Sequence, residues 1–185
     1  MCDLLKKSAL AYQALSEYEY TLICGKKGEL THVVLRFPIG AYHHLSGFQY
    51  ARIATLREKK TALDTILSGK VSYVQLMDSG FQHSDRLENI LHLKELLESN
   101  EFVFRYRKHE NPHSRIQADY LIQQKNILLF ISEEAPISTF KSDSNDYQRN
   151  CPRLTVLKIY RTHLKTGEQI IVYQRVNAKI RDKHN

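Results

Sequence analysis

Cysteine is scarce in this chain of 185 residues: Cys2, Cys24 and Cys151 lie far apart, with no Cys-x-x-Cys pair. That spacing excludes a zinc ribbon and a thioredoxin-type redox site, and an odd count fits inert thiols in a reducing compartment. Long apolar runs are also missing. The opening Met1-Cys-Asp-Leu-Leu-Lys-Lys has no signal-peptide core, and no stretch approaches the length of a membrane span. A soluble, cytoplasmic protein with no membrane partner is the expectation. Gly-rich phosphate loops, Gly-x-Ser-x-Gly and dinucleotide fingerprints are absent too, so kinase, hydrolase-elbow and dehydrogenase readings have no support and no cofactor is expected. No metal is expected either. His43-His44 has no suitably spaced acidic or imidazole partner, and His109 and His113 fall in a Pro-containing turn.

Charge is abundant and uneven. The formal net charge is +7. Residues 1–100 carry 12 Lys/Arg against 11 Asp/Glu, whereas residues 101–185 carry 15 against 9. A basic second half points to a polyanionic partner, with nucleic acid the leading candidate, and does not identify which. The plainer alternative is a solvated basic tail over 177–185, but the surplus persists when that tail is set aside. Hydrophobic content of 42% with 25% charged residues is globular composition, so one domain over 1–185 is expected.

Local patterns sketch an α+β plan. Residues 3–18 place Leu4, Ser8, Ala11, Leu15 and Tyr18 at helical spacings behind Asp3 as N-cap. Two β-rich runs, 19–24 and 30–37, flank Gly25-Lys-Lys-Gly28 and predict a hairpin, with His32 on an exposed face, ended by Pro38 and Gly40. Helical pieces are expected at 42–48, at 58–67 and, most strongly, from Ser84-Asp85 to about residue 99. Leu87, Ile90, Leu91, Leu93 and Leu97 form the apolar side of that last helix. His92 reads as structural and His83 as part of a turn. From residue 101 the period changes to that of strands: 102–107, 116–122, 127–131, 154–160 and 169–175, with tight connections at 123–126 and 165–168. Residues 132–152 read as a long, polar, irregular loop. The predicted organisation is N-terminal helices and a β-hairpin (1–100), then a twisted antiparallel β-sheet (101–176), then the basic tail.

The adjacent imidazoles of His43 and His44, just beyond an apolar strand, are the most chemically suggestive feature. Histidine both accepts and donates protons near neutral pH, although one of two neighbouring His residues commonly just packs or caps. Three stretches around them are similar to a known family. Gly25-Lys-Lys-Gly28 with Val33-Val-Leu-Arg36-Phe37 resembles its opening hairpin. His43-His44-Leu45-Ser46-Gly47-Phe48 resembles its His-Leu-x-Gly-Leu signature, with Phe48 where Leu is usual. Pro136-Ile-Ser-Thr-Phe140, Tyr147, Leu154-Thr-Val-Leu-Lys158 and Lys165-Thr-Gly-Glu168 resemble its C-terminal block. The family is the fourth phage-associated group of barnase/EndoU/colicin/RelE-like (BECR) nucleases.

The resemblance covers residues 19 to about 175. It implies a BECR-like fold and a metal-independent, toxin-like ribonuclease of phage or mobile-element origin. A cognate immunity or antitoxin protein is an expected partner. His44, Thr155 and Lys158 fall on its motif positions, and Lys141 lies in a matching region.

RNA cleavage without metal needs a base for the 2′-OH proton, an acid for the 5′-oxygen and cations for the phosphorane. His44, with His43 in reserve, is the candidate base or acid. Strand alternation puts Lys158 and Tyr160 opposite Leu157 and Ile159, and puts Arg105 and Arg107 together on strand 102–107. If these faces coincide, Arg105, Arg107, Lys158 and Tyr160 converge on phosphate, and Tyr160 or Tyr173 stacks a base. The alternatives are a non-catalytic nucleic-acid-binding or regulatory protein on the same fold, or an interaction module with an apolar interface.

Overall fold

The chain begins at a capped helix because Asp3 stands where the first turn needs an acceptor: its carboxylate takes the Lys6 N–H at 3.1 Å. The structure, a computed structural model, describes residues 3–112, 114–142 and 146–176. His113 and the basic tail from 177 lie outside the described residues. Helix α1 (Leu4–Ser16) holds no β-branched residue, Gly or Pro, and buries Leu5, Ser8, Ala9, Tyr12 and Leu15. This stripe corrects the expected one, which ran through Leu4 and Ala11. The helix turns to bury the large Tyr12 ring, whose hydroxyl donates to the Pro38 carbonyl at 2.7 Å.

The hairpin forms as expected from β1 (Tyr18–Lys26) and β2 (Glu29–Arg36). Its turn is tighter than the four-residue motif suggested. Only Lys27 and Gly28 connect the strands, at φ 50° and 85°, the left-handed pair that suits a two-residue hairpin. Gly25 lies within β1 and serves another purpose, described below.

Next come α2 (Ile39–Leu45), a 3-10 turn at Phe48–Tyr50, α3 (Ala54–Arg57), α4 (Ala62–Leu67), α5 (Tyr73–Asp78) and α6 (Ser84–Glu98). The helix expected over 58–67 is shorter, and α3 and α5 were not foreseen. α5 carries a readable signal: Ser72 and Gln75 form a capping box. The expected Ser84-Asp85 cap is also corrected, because His83 occupies the N-cap position of α6 without a side-chain bond. His92 on that helix is exposed rather than structural.

The remaining strands are β3 (Phe102–Arg105), β4 (Tyr120–Gln124), β5 (Ile127–Ser132), β6 (Ala135–Lys141), β7 (Arg153–His163) and β8 (Gln169–Gln174). They form one antiparallel sheet in the order β2-β1-β7-β3-β4-β5-β6, with β8 on β7. The long loop expected over 132–152 is corrected by β6, which turns back from β5 through Glu133 and Glu134, both at positive φ. Pro136 suggested a loop, but β6 is an edge strand, where a missing N–H costs no ladder bond.

The sheet curls into a half-barrel. The Arg36 N–H donates to the Glu134 carbonyl at 2.7 Å, and the Arg36 guanidinium pairs with Glu134 and Glu19. α1, α2 and α6 fill the concave face against Tyr20, Leu22, Cys24, Val156 and Ile159. A second cluster, including Leu121, Leu128, Phe130 and Tyr147, covers the opposite face of β4 and β5.

β7 departs from simple alternation. Ile23 pairs with Lys158 but Cys24 pairs with Val156, so Leu157 is an extra residue bulged from the ladder. Val156 and Ile159 therefore both face the core, and Leu157 is turned out. The expectation that Leu157 shares the core face with Ile159 is corrected. Gly25 makes the bulge possible, since a Cβ there would sit 3.0 Å from Leu157 Cδ1.

Leu22 is fully buried between Val33 and Ile159. Leu22→Ala is expected to cost about 2–5 kcal/mol in urea unfolding, while Leu30→Ala, half exposed near the hairpin tip, should stay within about 0.5 kcal/mol.

Candidate functional site

Beyond the reach of the helices, side chains on the concave face of the sheet emerge into a cleft. Val103 on β3 faces the core, so Arg105, two residues on, points the same way but past the helical cover. Its Nη2 donates across the cleft to Thr31 Oγ1 at 3.0 Å. Lys26 and Glu29, cross-strand partners at the hairpin tip, form one wall with Lys27 and Thr31. Arg107, Asp119, Tyr120 and Leu154 complete a space of about 690 Å³. Mouths of barrels are common places for ligands.

The cleft carries four cations, Lys26, Lys27, Arg105 and Arg107, against two carboxylates. Among the described residues none of the four cations is ion-paired. Asp119 is engaged, accepting from Ser132 Oγ and the Glu133 N–H, both at 3.1 Å. Glu29 has no such partner among the described residues. Such a site attracts a phosphodiester and holds one free carboxylate beside it.

Of the residues expected from sequence, Arg105 and Arg107 both line this cleft, but the strand expected over 102–107 ends at Arg105, so Arg107 reaches the cleft from beyond β3. They do not meet Lys158 and Tyr160. Phe102 pairs with Thr155, which puts the Arg105 side of β3 on the concave face. Thr155, Lys158 and Tyr160 pair with Gly25, Ile23 and Thr21, so they stand on the outer face. The Lys158 Nζ lies 4.9 Å above the Tyr160 ring. Tyr173 pairs with Ile159 and packs toward the core, so it does not join Tyr160. The expected convergence of Arg105, Arg107, Lys158 and Tyr160 is corrected: the sheet separates the two pairs.

The imidazoles occupy a third place. His43 and His44 sit on α2, ring centroids 5.0 Å apart, with His43 only 3% exposed. α2 packs on β6, α1, α4 and α6, none of which lines the cleft. Burial, helped by His44 and Lys59, lowers the pKa of His43; burial and Lys59 lower that of His44. Both rings are therefore held neutral at pH 7. Gly47 explains much of the His-Leu-Ser-Gly motif: it takes φ 76°, and a Cβ there would lie 3.1 Å from Arg86 Cδ and 3.2 Å from His83 Cβ. The motif thus docks the start of α6 on α2, and Arg86 Nη1 donates to the His44 carbonyl at 3.4 Å. Lys141 is paired with Glu88 of α6 at 2.8 Å.

Sequence reasoning missed Lys26, Lys27, Glu29, Asp119 and Tyr120 as cleft residues. The signal was the Lys-Lys pair in a hairpin turn followed by Glu, which pattern alone reads as turn chemistry. Among the described residues, no three His, Cys, Asp or Glu side chains group to hold a metal, and no helix is long and apolar enough to cross a membrane.

The lowered imidazole pKa values have a testable consequence. His83, packed against Tyr50 and Phe81, is lowered too, by burial and then Arg86. Above the unfolded value of about 6.5 these rings are neutral in both states and their contribution is complete. As pH falls through 6.5 the unfolded chain takes up protons that the folded chain resists, so stability falls. Urea midpoints should drop between pH 7.5 and 5.5, and His43→Gln should flatten that dependence.

A family model described as phage-Barnase-EndoU-ColicinE5/D-RelE like nuclease4 matches residues 4–178. No curated protein and no solved structure gives a significant match. With a curled antiparallel sheet behind N-terminal helices and a match spanning nearly its full length, the chain belongs to this phage-associated family of BECR-type nucleases.

Proposed function

We propose that the chain is a metal-independent endoribonuclease that works in the basic cleft at the open end of the sheet. The observation that carries this reading is the gathering of four cations and one carboxylate, none of them ion-paired among the described residues, in a single cleft of about 690 Å³. Arg105 and Arg107 hold the scissile phosphate, with forks suited to its oxygens. Glu29 removes the proton of the adjacent 2′-OH, and the 2′-oxygen attacks phosphorus. The P–O5′ bond breaks as Lys26, the cross-strand partner of Glu29, protonates the departing 5′-oxygen. The products are a 2′,3′-cyclic phosphate and a 5′-hydroxyl. Throughout, Lys27, Arg105 and Arg107 offset the charge that develops on the phosphorane.

In this reading His44 supports the helix layer rather than the chemistry. Lys59 and Arg86 stand beside it, but the group of four cations with a carboxylate lines a cleft to which α2 contributes nothing.

The test is cleavage of labelled single-stranded RNA in EDTA. Wild type is expected to leave 2′,3′-cyclic ends. Glu29→Gln should lower kcat by about 10²–10⁴-fold, Arg105→Ala by about 10²–10³-fold, and a folded His44→Ala by only a few-fold. Loss of cleavage in His44→Ala with full activity in Glu29→Gln would move the site to the imidazoles. Absence of cleavage by folded wild type, with salt-sensitive RNA binding intact, would favour a non-catalytic binding protein.

A further inference from the structure

The outer face of β3, β7 and β8 is independent of the cleft and has its own chemistry. Arg153 places its guanidinium carbon 4.5 Å above the Phe102 ring, and Arg175 places its own 5.9 Å from the same ring. Five residues along β7 from Arg153, Lys158 lies over Tyr160. The Leu157 bulge contributes directly, since its carbonyl accepts the Arg175 N–H at 2.9 Å and so ties the end of β8 to this face. None of Arg153, Lys158 and Arg175 is ion-paired among the described residues. Glu19, a carboxylate on the same side of the sheet, is already held by Arg36.

We infer that this face is a second nucleic-acid contact, a strip on which single-stranded RNA lies as it leaves the cleft. The inference rests on the ribonuclease reading for its direction but not for its chemistry. Cations set on aromatic faces, without acids beside them, suit a strand that presents phosphates and unpaired bases in turn. Leu157 and Ile171 are turned to the same face, but a protein-docking face would keep its charges paired at the rim, whereas Arg153, Lys158 and Arg175 lie among these side chains with no ion pair among the described residues. The position favours continuity. Arg153 lies between Pro152 and Leu154, both cleft-lining residues, so the strip starts at the rim of the cleft. From Arg153 to Tyr160 it runs along β7 for about 20 Å, room for several nucleotides. Arg153, Phe102 and Arg175 are the residues this assignment adds to Lys158 and Tyr160.

The experiment is fluorescence anisotropy of the full chain with uncleavable 2′-O-methyl oligonucleotides of four and twelve nucleotides, over a range of salt. For Arg153→Gln/Lys158→Gln/Arg175→Gln the twelve-mer should bind at least tenfold more weakly, with the salt slope reduced by about 2, and the four-mer within about twofold of wild type. Should the triple variant melt early, Arg153→Gln/Lys158→Gln, both away from the core, carries the same comparison with a smaller loss. An unchanged twelve-mer affinity would overturn the inference. Equal losses for twelve-mer and four-mer would overturn it as well, placing these cations in the cleft's own contact. A loss greater for a duplex than for the single strand would overturn the assigned class of ligand. Because the probe cannot be cleaved, these results stand apart from whether wild type cuts RNA.

Discussion

The pairing of β1 with β7 governs the rest of the molecule. It is a long ladder of the sheet, and it holds one extra residue, Leu157, whose side chain packs over the side-chain-free Gly25. Before the bulge, Leu154 and Val156 face the helices; after it, Ile159 does. Without the bulge, either Val156 or Ile159 would be turned to water, exposing an aliphatic side chain at a cost of about 2 kcal/mol. The same irregularity brings Thr155, Leu157 and Lys158 onto one face and fixes the end of β8 through the Leu157 carbonyl. Packing of the core and the charge layout of the outer face thus follow from one insertion.

Curvature does the second part of the work. Arg36 joins the end of β2 to the turn before β6, while Arg105 reaches Thr31 from β3. The sheet folds toward itself, and the helices occupy only part of the concavity. Where they stop, alternation continues to send side chains inward, but those positions hold Lys26, Glu29, Arg105 and Tyr120. Polar residues here face water in a confined space, where cations are close enough to act together on one anion. The imidazoles are placed by other needs. His43 is packed within the helix layer, and Gly47 lets α6 approach α2 closely.

The hairpin, α6, the change to strands near residue 101 and the α+β plan were legible in the sequence, because each rests on local periodicity or turn chemistry. β6 was not, since Pro136 and its Ser/Thr neighbours mimic a loop and only the edge position makes them acceptable. Arg105 and Arg107, which both reach the cleft although β3 ends at Arg105, were legible as neighbouring cations. Their neighbours were not, because cross-strand register is a long-range property: the pairing of Phe102 with Thr155 turns that face away from Lys158. Glu29 and the Lys26-Lys27 pair were visible as residues but not as a site, since curvature of the whole sheet brings them opposite Arg105. The His-Leu-Ser-Gly motif drew attention for its imidazoles, whereas its glycine is the member with a clear geometric requirement.

The most direct test of the account is a map of where RNA touches the protein. Amide chemical shifts of the isotope-labelled chain, titrated with an uncleavable single-stranded oligonucleotide, would supply it. The account predicts changes at Lys26, Lys27, Glu29, Thr31, Arg105 and Tyr120, with α2 undisturbed. Changes centred on His43, His44 and the start of α6, with the hairpin tip silent, would contradict it.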